Sequence, residues 1–265
     1  MNTIGVGPLV REWRGRRRRS QLDLAHEAGV SPKHLSFIET GRSRPSPELL
    51  LTLAHHLEVP LRERNDLLLA AGYAPRFQRT GLSDPEMEQV RASLTALLER
   101  HDPYPGLVVD RYWNVVMTNR GAGALASVLP PELAGPPLNL FRASLHPDGL
   151  AGYTHNFADW AGHLLDQLRR LVQLTADPAL VALEAEILAY PNIVALSDGE
   201  RGRRDRSPLI LTCDLELGGA RLSLLTTLTA FGSPYDVTID ELLVELFYPA
   251  DDATEAALRA LAATR

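Results

Sequence analysis

Residues 20–47 read SQLDLAHEAGVSPKHLSFIETGRSRPSP, and their reading decides the fold of the first part of the chain. Two short helices joined by a tight turn are expected. Ser20 is placed to cap the first, which carries Leu24, Ala25 and Ala28 on one face. Gly29 supplies the turn. Ser31 caps a second helix, and Pro32 stands at its first position, where a missing N–H costs nothing. Gly41 ends it, as a glycine past a helix C-terminus does. Leu35 and Ile38, three apart, face inward, so Pro32, Lys33, Ser36 and Phe37 fall on the outward face. A helix-turn-helix with its second helix free is the geometry that enters a DNA major groove.

The stretch resembles the xenobiotic-response-element (XRE) family of phage-repressor-like DNA-binding domains. Gln21, Leu24, Ala25, Gly29, Val30, Ser31, Leu35, Ile38, Glu39, Gly41, Arg42 and Pro45 carry the match. The resemblance implies that Gln21 and the loop Arg42, Ser43 and Arg44 hold phosphates. It implies that Pro32, Lys33, Ser36 and Phe37 meet bases, with Ser31 beside them at the helix start. It also implies an ion pair between Arg14 and Glu39. Pro32 and Phe37 depart from the family's usual polar readers and offer only apolar contact, such as to a thymine methyl. The operator sequence therefore stays open. The bland alternative is a helical hairpin that binds no DNA.

Charge agrees with a nucleic-acid partner. The 265 residues carry a net −6, but residues 1–80 hold 13 Lys and Arg against 8 Asp and Glu, a net of +5. The rest of the chain has a net of −11. A basic module on an acidic body is the electrostatic footprint expected of a DNA binder. The length is that of about two domains. The single cysteine, Cys213, excludes an internal disulfide and fits a reducing cytoplasm. No apolar run has the length a bilayer requires, and the start MNTIGVGPLV lacks the charged region of a signal peptide. A cytoplasmic protein without a membrane partner is expected.

Outward from the motif, residues 7–19 read as a first helix with Leu9 and Trp13 on its core side. The run Arg16–Arg19 reads as a solvated face or as phosphate contacts. Ser46-Pro47 opens a helix bearing Leu50, Leu53, Ala54 and Leu57, and Pro60 opens a fifth that stops near Gly72. His55 and His56 diverge on a helix, which argues against a metal. Beyond the linker APRFQRTGLSDP, a helix is expected at 85–100 with Val90, Leu94, Leu97 and Leu98 in its stripe, packed on the second domain or on another copy.

LVVD and YWNVVMTN read as two strands turning at Asp110-Arg111, followed by a short helix that Asn119 is placed to cap. That opening looks like a PAS-type sensory domain. Helices are expected at 155–174 and 178–189, with RGRRDR at 201–206 a charged loop. LILTCDLEL and ARLSLLTTLTAF alternate around Gly218-Gly219, a two-residue hairpin turn. The turn sets Leu215 opposite Leu222, Cys213 opposite Leu224 and Glu216 opposite Arg221, which places Cys213 in an apolar row as an inert thiol. ELLVELFYP reads as the last strand, and a helix over 252–262 closes the chain.

With YPGLVVDRYWNVVMTNR, LNLFR, HPDGL, NFADW and FGSPYDVTIDELLVELFYPAD added to the helix-turn-helix, residues 8–262 resemble the MmyB-like transcription regulators. The resemblance implies an XRE-type domain joined to a PAS-like ligand-binding domain, and fatty-acid-like ligands. The expected fold class is multidomain. Residues 1–79 form an all-α five-helix DNA-binding domain, and residues 80–265 form a PAS-like α+β domain with an antiparallel sheet.

No Walker loop, HExxH or CxxC is present. An enzyme, a metal site and a resident cofactor are not expected; a hydrolase using His146 is the distant alternative. A ligand cavity is expected between the sheet and helix 155–174, lined by Phe157, Trp160 and Leu164. Arg142, His146 and Asn156, polar residues in apolar segments, are expected to hold the ligand's head, with Asn119 and Arg120 weaker candidates. An arginine suits a carboxylate, hence a fatty-acid-like effector. The alternative for these three is an internal hydrogen-bond network closing the loop. The reading is thus a ligand-sensing regulator that binds operator DNA as a homodimer, with a ligand-free dimerisation module as its rival.

Overall fold

Serine decides where three helices begin. The Ser20, Ser31 and Ser46 hydroxyls accept from the backbone N–H groups of Asp23, His34 and Leu49 at 3.1, 3.1 and 3.2 Å. Each such cap is worth about 1 kcal/mol. They open α2 (Gln21–Glu27), α3 (Pro32–Glu39) and α4 (Pro47–His56). α1 (Val6–Arg16) precedes them and α5 (Leu61–Ala70) follows. α1 ends earlier than the helix expected at 7–19. Arg17 turns aside to donate to the Leu57 and Glu58 carbonyls at the end of α4, both at 2.8 Å, and Arg18 takes a φ of 53°.

The computed structural model describes residues 5–196, 210–232 and 234–263. Leu209 and the loop 201–206 lie outside the described residues. The chain forms two units: residues up to 81 together with 232–240, and residues 82–231 together with 241 onward.

The first unit is all helical. Trp13, Leu24, Leu35, Ile38, Leu50, Leu53, Leu57 and Leu68 are buried in one core. Gly7 permits α1 to approach α3 closely, since a Cβ there would run into the Ile38 and Glu39 carbonyls. Residues 232–240 return to this unit from far along the chain. Asp236 accepts from the backbone N–H and hydroxyl of Thr80 at 3.0 and 2.8 Å. Val237, which begins the short helix Val237–Asp240, donates its N–H to the Gln78 carbonyl at 2.8 Å.

The second unit is built on a five-stranded antiparallel sheet in the order β2-β1-β5-β4-β3. Its strands are β1 (Gly106–Val109), β2 (Val115–Thr118), β3 (Cys213–Leu217), β4 (Ala220–Ala230) and β5 (Leu243–Pro249). The β3–β4 hairpin has the expected register, with Cys213 opposite Leu224 and Leu215 opposite Leu222. The β1–β2 turn is longer than expected. It runs over residues 110–114, held by the Asp110 carboxylate accepting from the Tyr112 and Asn114 N–H groups.

Alternation along the strands gives the sheet two apolar faces. On one, Val108 and Val244 meet Leu94 and Leu98 of α6 (Glu88–His101), so this helix packs on its own chain's sheet. Leu97, off that line, is exposed. On the other face, Leu107, Leu215, Leu224 and Phe247 meet Phe141 of α9 (Leu140–Leu145) and Trp160, Leu164 and Leu168 of α10 (Phe157–Thr175). α7 (Arg120–Ala126) begins at Asn119, which accepts from the Ala122 N–H at 3.0 Å, and the one-turn α8 (Pro131–Ala134) follows it. α11 (Pro178–Leu188) and the helix Asp252–Ala263 complete the cover. Among the described residues no helix is long and apolar enough to cross a membrane.

Candidate DNA-binding face and ligand cavity

The outward face of α3 is set by what lies beneath it. Glu39, buried at the helix end, accepts from Arg14 Nε and Nη2 at 2.6 and 2.9 Å, the pair implied by the family resemblance. Gln21 Nε2 donates to the same carboxylate at 2.7 Å. Burial opposes the Glu39 charge. The bonds from Arg14 and Gln21 outweigh it and hold the carboxyl below its usual range. One carboxylate therefore ties α1, α2 and α3 together, and one Gln21 amide N–H is committed to the fold. An amide nitrogen has two.

On the face itself Pro32 and Lys33 are exposed, while Ser36 and Phe37 are half-buried. The Lys33 ammonium and the Arg42 guanidinium lie 5.7 and 5.9 Å from the centre of the Phe37 ring. Phe37 is thus a platform for two cations. The Arg42 and Ser43 N–H groups both donate to the Phe37 carbonyl, which fixes the loop after the helix. Arg44 is held: it donates to the Gly72 carbonyl at 3.2 Å and stacks 4.4 Å from the Tyr73 ring centre. The Ser31 hydroxyl is occupied as the α3 cap. The Arg16–Arg19 run is partly committed to the fold, with Arg16 paired to Glu12, Arg17 on carbonyls and Arg19 paired to Glu27. Lys33 and Arg42 are both exposed cations beside α3.

The second unit contains a cavity of about 80 Å³ between the sheet and the helices that cover it. Leu107, Leu215, Leu224 and Phe247 of the sheet form one wall, and Leu140, Trp160 and Leu164 the other. Trp160 and Leu164 were expected there. Phe157, Arg142, His146 and Asn156 are not among the lining residues.

The expected anchors hold the fold instead. Arg142 Nε and Nη2 donate to the two Glu186 oxygens, both at 2.7 Å, and Tyr190 donates to Glu186 Oε1 at 2.7 Å. Two bonds in parallel complete the arginine's planar fork, so it already has its carboxylate. His146 lies edge-on to Tyr190 at 4.9 Å, and its Nδ1 accepts from the Asp148 N–H. Asn156 donates to the Thr212 carbonyl at 2.7 Å and accepts from the Asp214 N–H at 3.0 Å. Phe157 packs against the core from a partly buried position. Arg120 is exposed and pairs with Asp102 at 3.1 Å.

The charged side chain among the lining residues is Glu245 of β5. It is 5% exposed. Its Oε1 accepts from the Thr226 hydroxyl at 2.8 Å, and its Oε2 is buried with no hydrogen-bond partner among the described residues. Burial pushes the carboxyl up to about 7, against the opposing bond from Thr226. In the sequence it is only a glutamate inside the apolar run LVELF, a pattern that a solvent-facing residue on a strand shares. Cys213 also lines the cavity, and burial pushes its thiol up. Among the described residues no cluster of His, Cys, Asp and Glu could hold a metal ion.

Residues 90–261 match the family described as MmyB-like transcription regulator ligand binding domain. Residues 10–64 match the family described as Helix-turn-helix. No curated protein matches the chain.

Proposed function

The chain belongs to the MmyB-like transcription regulators, and on that premise we propose that it is a sequence-specific, ligand-sensing regulator. It is a DNA-binding helix-turn-helix regulator with an MmyB-like ligand-binding domain. The proposal adds that a small, mostly apolar molecule fills the second unit's cavity and changes DNA affinity. The observation that carries it is the cavity, walled by apolar side chains and holding one buried carboxyl. Its volume of about 80 Å³ supports a compact ligand, and a fatty-acid-like tail must be short or must displace the leucines around it.

In this reading Lys33, Ser36, Phe37 and Pro32 face bases, with Ser31 at the helix start, and Arg42, Ser43, Arg44 and Gln21 face phosphates. The chain acts as a homodimer on a two-part site, in the cytoplasm and without catalysis. The PAS-like character is supported by the β1–β2 hairpin, the Asn119 cap and the short helix after it. A route from ligand to DNA is supported by the chain itself. β4 and β5 border the cavity, and the segment between them, 232–240, belongs to the first unit.

The test is DNA binding across a salt series, with and without a panel of small apolar molecules. Lys33→Ala is expected to change sequence preference by about 1–3 kcal/mol, and Arg42→Ala to weaken all sequences alike and flatten the salt slope. A panel that shifts neither melting temperature nor DNA affinity would leave the second unit as a dimerisation module.

A further inference from the structure

We propose that the cavity takes an apolar molecule whose head is a hydrogen-bond donor, a hydroxyl or an amine, seated on the Glu245 carboxyl. The inference rests on the ligand-sensing reading and names the ligand's chemistry.

Glu245 sits in β5 between β1 and β4, opposite Leu107 and Leu228. One oxygen has the Thr226 hydroxyl; the other is buried, unpartnered and on the cavity lining. A buried carboxylate oxygen without a donor is a cost the fold leaves uncompensated. The helices over the cavity bring no cation to it. From α7, α9 and α10 the lining is Ala122, Leu125, Ala126, Leu140, Ala143, Ser144, Trp160 and Leu164. Three neutral hydroxyls, of Thr118, Ser144 and Thr154, are also on the lining, and Thr154 donates its own to the Leu150 carbonyl. Cys213 of β3 is the other titratable group on the lining, and its raised thiol is neutral. Among the described residues nothing on the lining neutralises a carboxylate ligand. A fatty acid would set its head against Glu245 and bind only by sharing a proton with it. An alcohol supplies the missing donor at once, and an amine supplies donor and charge.

Hexanol, hexylamine and hexanoic acid share one tail and differ in the head. Their affinities for the whole protein are read by titration at about pH 8, above the Glu245 value near 7. The alcohol and the amine are expected to bind at least about tenfold more tightly than the acid. Glu245→Gln is expected to bring the three within about twofold, with the largest loss for the amine if the head is cationic. Should that variant not fold, the unaltered protein still decides: from about pH 6 to pH 8 the acid's affinity falls about tenfold and the alcohol's does not. Hexanoic acid binding as tightly as the others at the higher pH overturns the head assignment and leaves the cavity reading intact. If none of the three binds, nor any longer homologue, the ligand-sensing reading falls and the head assignment with it.

Discussion

Glu39 and Glu245 are both buried carboxylates, and their surroundings drive them in opposite directions. Glu39 has Arg14 and Gln21, so its charged form is the stable one. Its contribution is present above the ordinary carboxylate value of 4.5 and is lost as pH falls through the lower folded value. Glu39→Ala is expected to cost the first unit about 3 kcal/mol, because it strands a partly buried arginine. A denaturation midpoint within error of the parent would remove the clasp from the account. Glu245 has only Thr226, so its neutral form is the stable one. The unfolded carboxyl ionises near 4.5 and the folded one near 7, so stability falls as pH rises between them and is level above. The fall is at most about 3 kcal/mol, and Glu245→Gln is expected to abolish it in melts of the ligand-free protein. Glu39 was legible because its place in the motif implied a partner. Glu245 was not, because nothing in LVELF tells a solvent-facing glutamate from one turned into a cavity. That depends on helices seventy or more residues away covering the strand.

At the scale of elements, what could be read was what is settled locally. The hairpin register followed from Gly218-Gly219, whose φ angles of 57° and 79° are those a two-residue turn demands. It places Cys213 in an apolar row, 5% exposed, with its thiol pushed up by burial. Labelling with a neutral-pH thiol reagent is therefore expected to be slow in the native protein and fast in denaturant. Fast native labelling would mean that β3 opens or is misregistered. The serine caps and the Asn119 cap were equally local, each reaching three residues ahead. The loop at 139–156 was not local. Arg142 finds Glu186 forty-four positions later, and Asn156 finds Thr212 and Asp214 more than fifty later. A polar residue in an apolar segment announces a partner; the sequence does not say whether the partner is a ligand or the protein.

At the scale of the whole molecule, the first unit is completed by residues that follow the second unit's fourth strand. α5 shows why this matters. Its N-cap is Pro60, which offers no side-chain acceptor. The acceptor comes from Asp240, whose Oδ2 takes the Leu61 N–H at 3.1 Å, one hundred and seventy-nine residues along the chain. A carboxylate at a helix N-terminus serves as cap and as a match to the helix dipole, together about 1 kcal/mol. A fragment ending at residue 81 keeps the buried core from Val10 to Ala71, so it is expected to fold. It loses Asp240 at Leu61, Asp236 at Thr80 and the Val237–Gln78 bond. The Leu61 amide is then expected to exchange with solvent about fivefold faster or more in the fragment than in the full chain, and the amides of α3 to be unchanged. Asp240→Ala in the full chain should reproduce the fast Leu61 exchange without the truncation. If Leu61 exchanges equally in all three proteins, the returning segment does not cap α5 in solution.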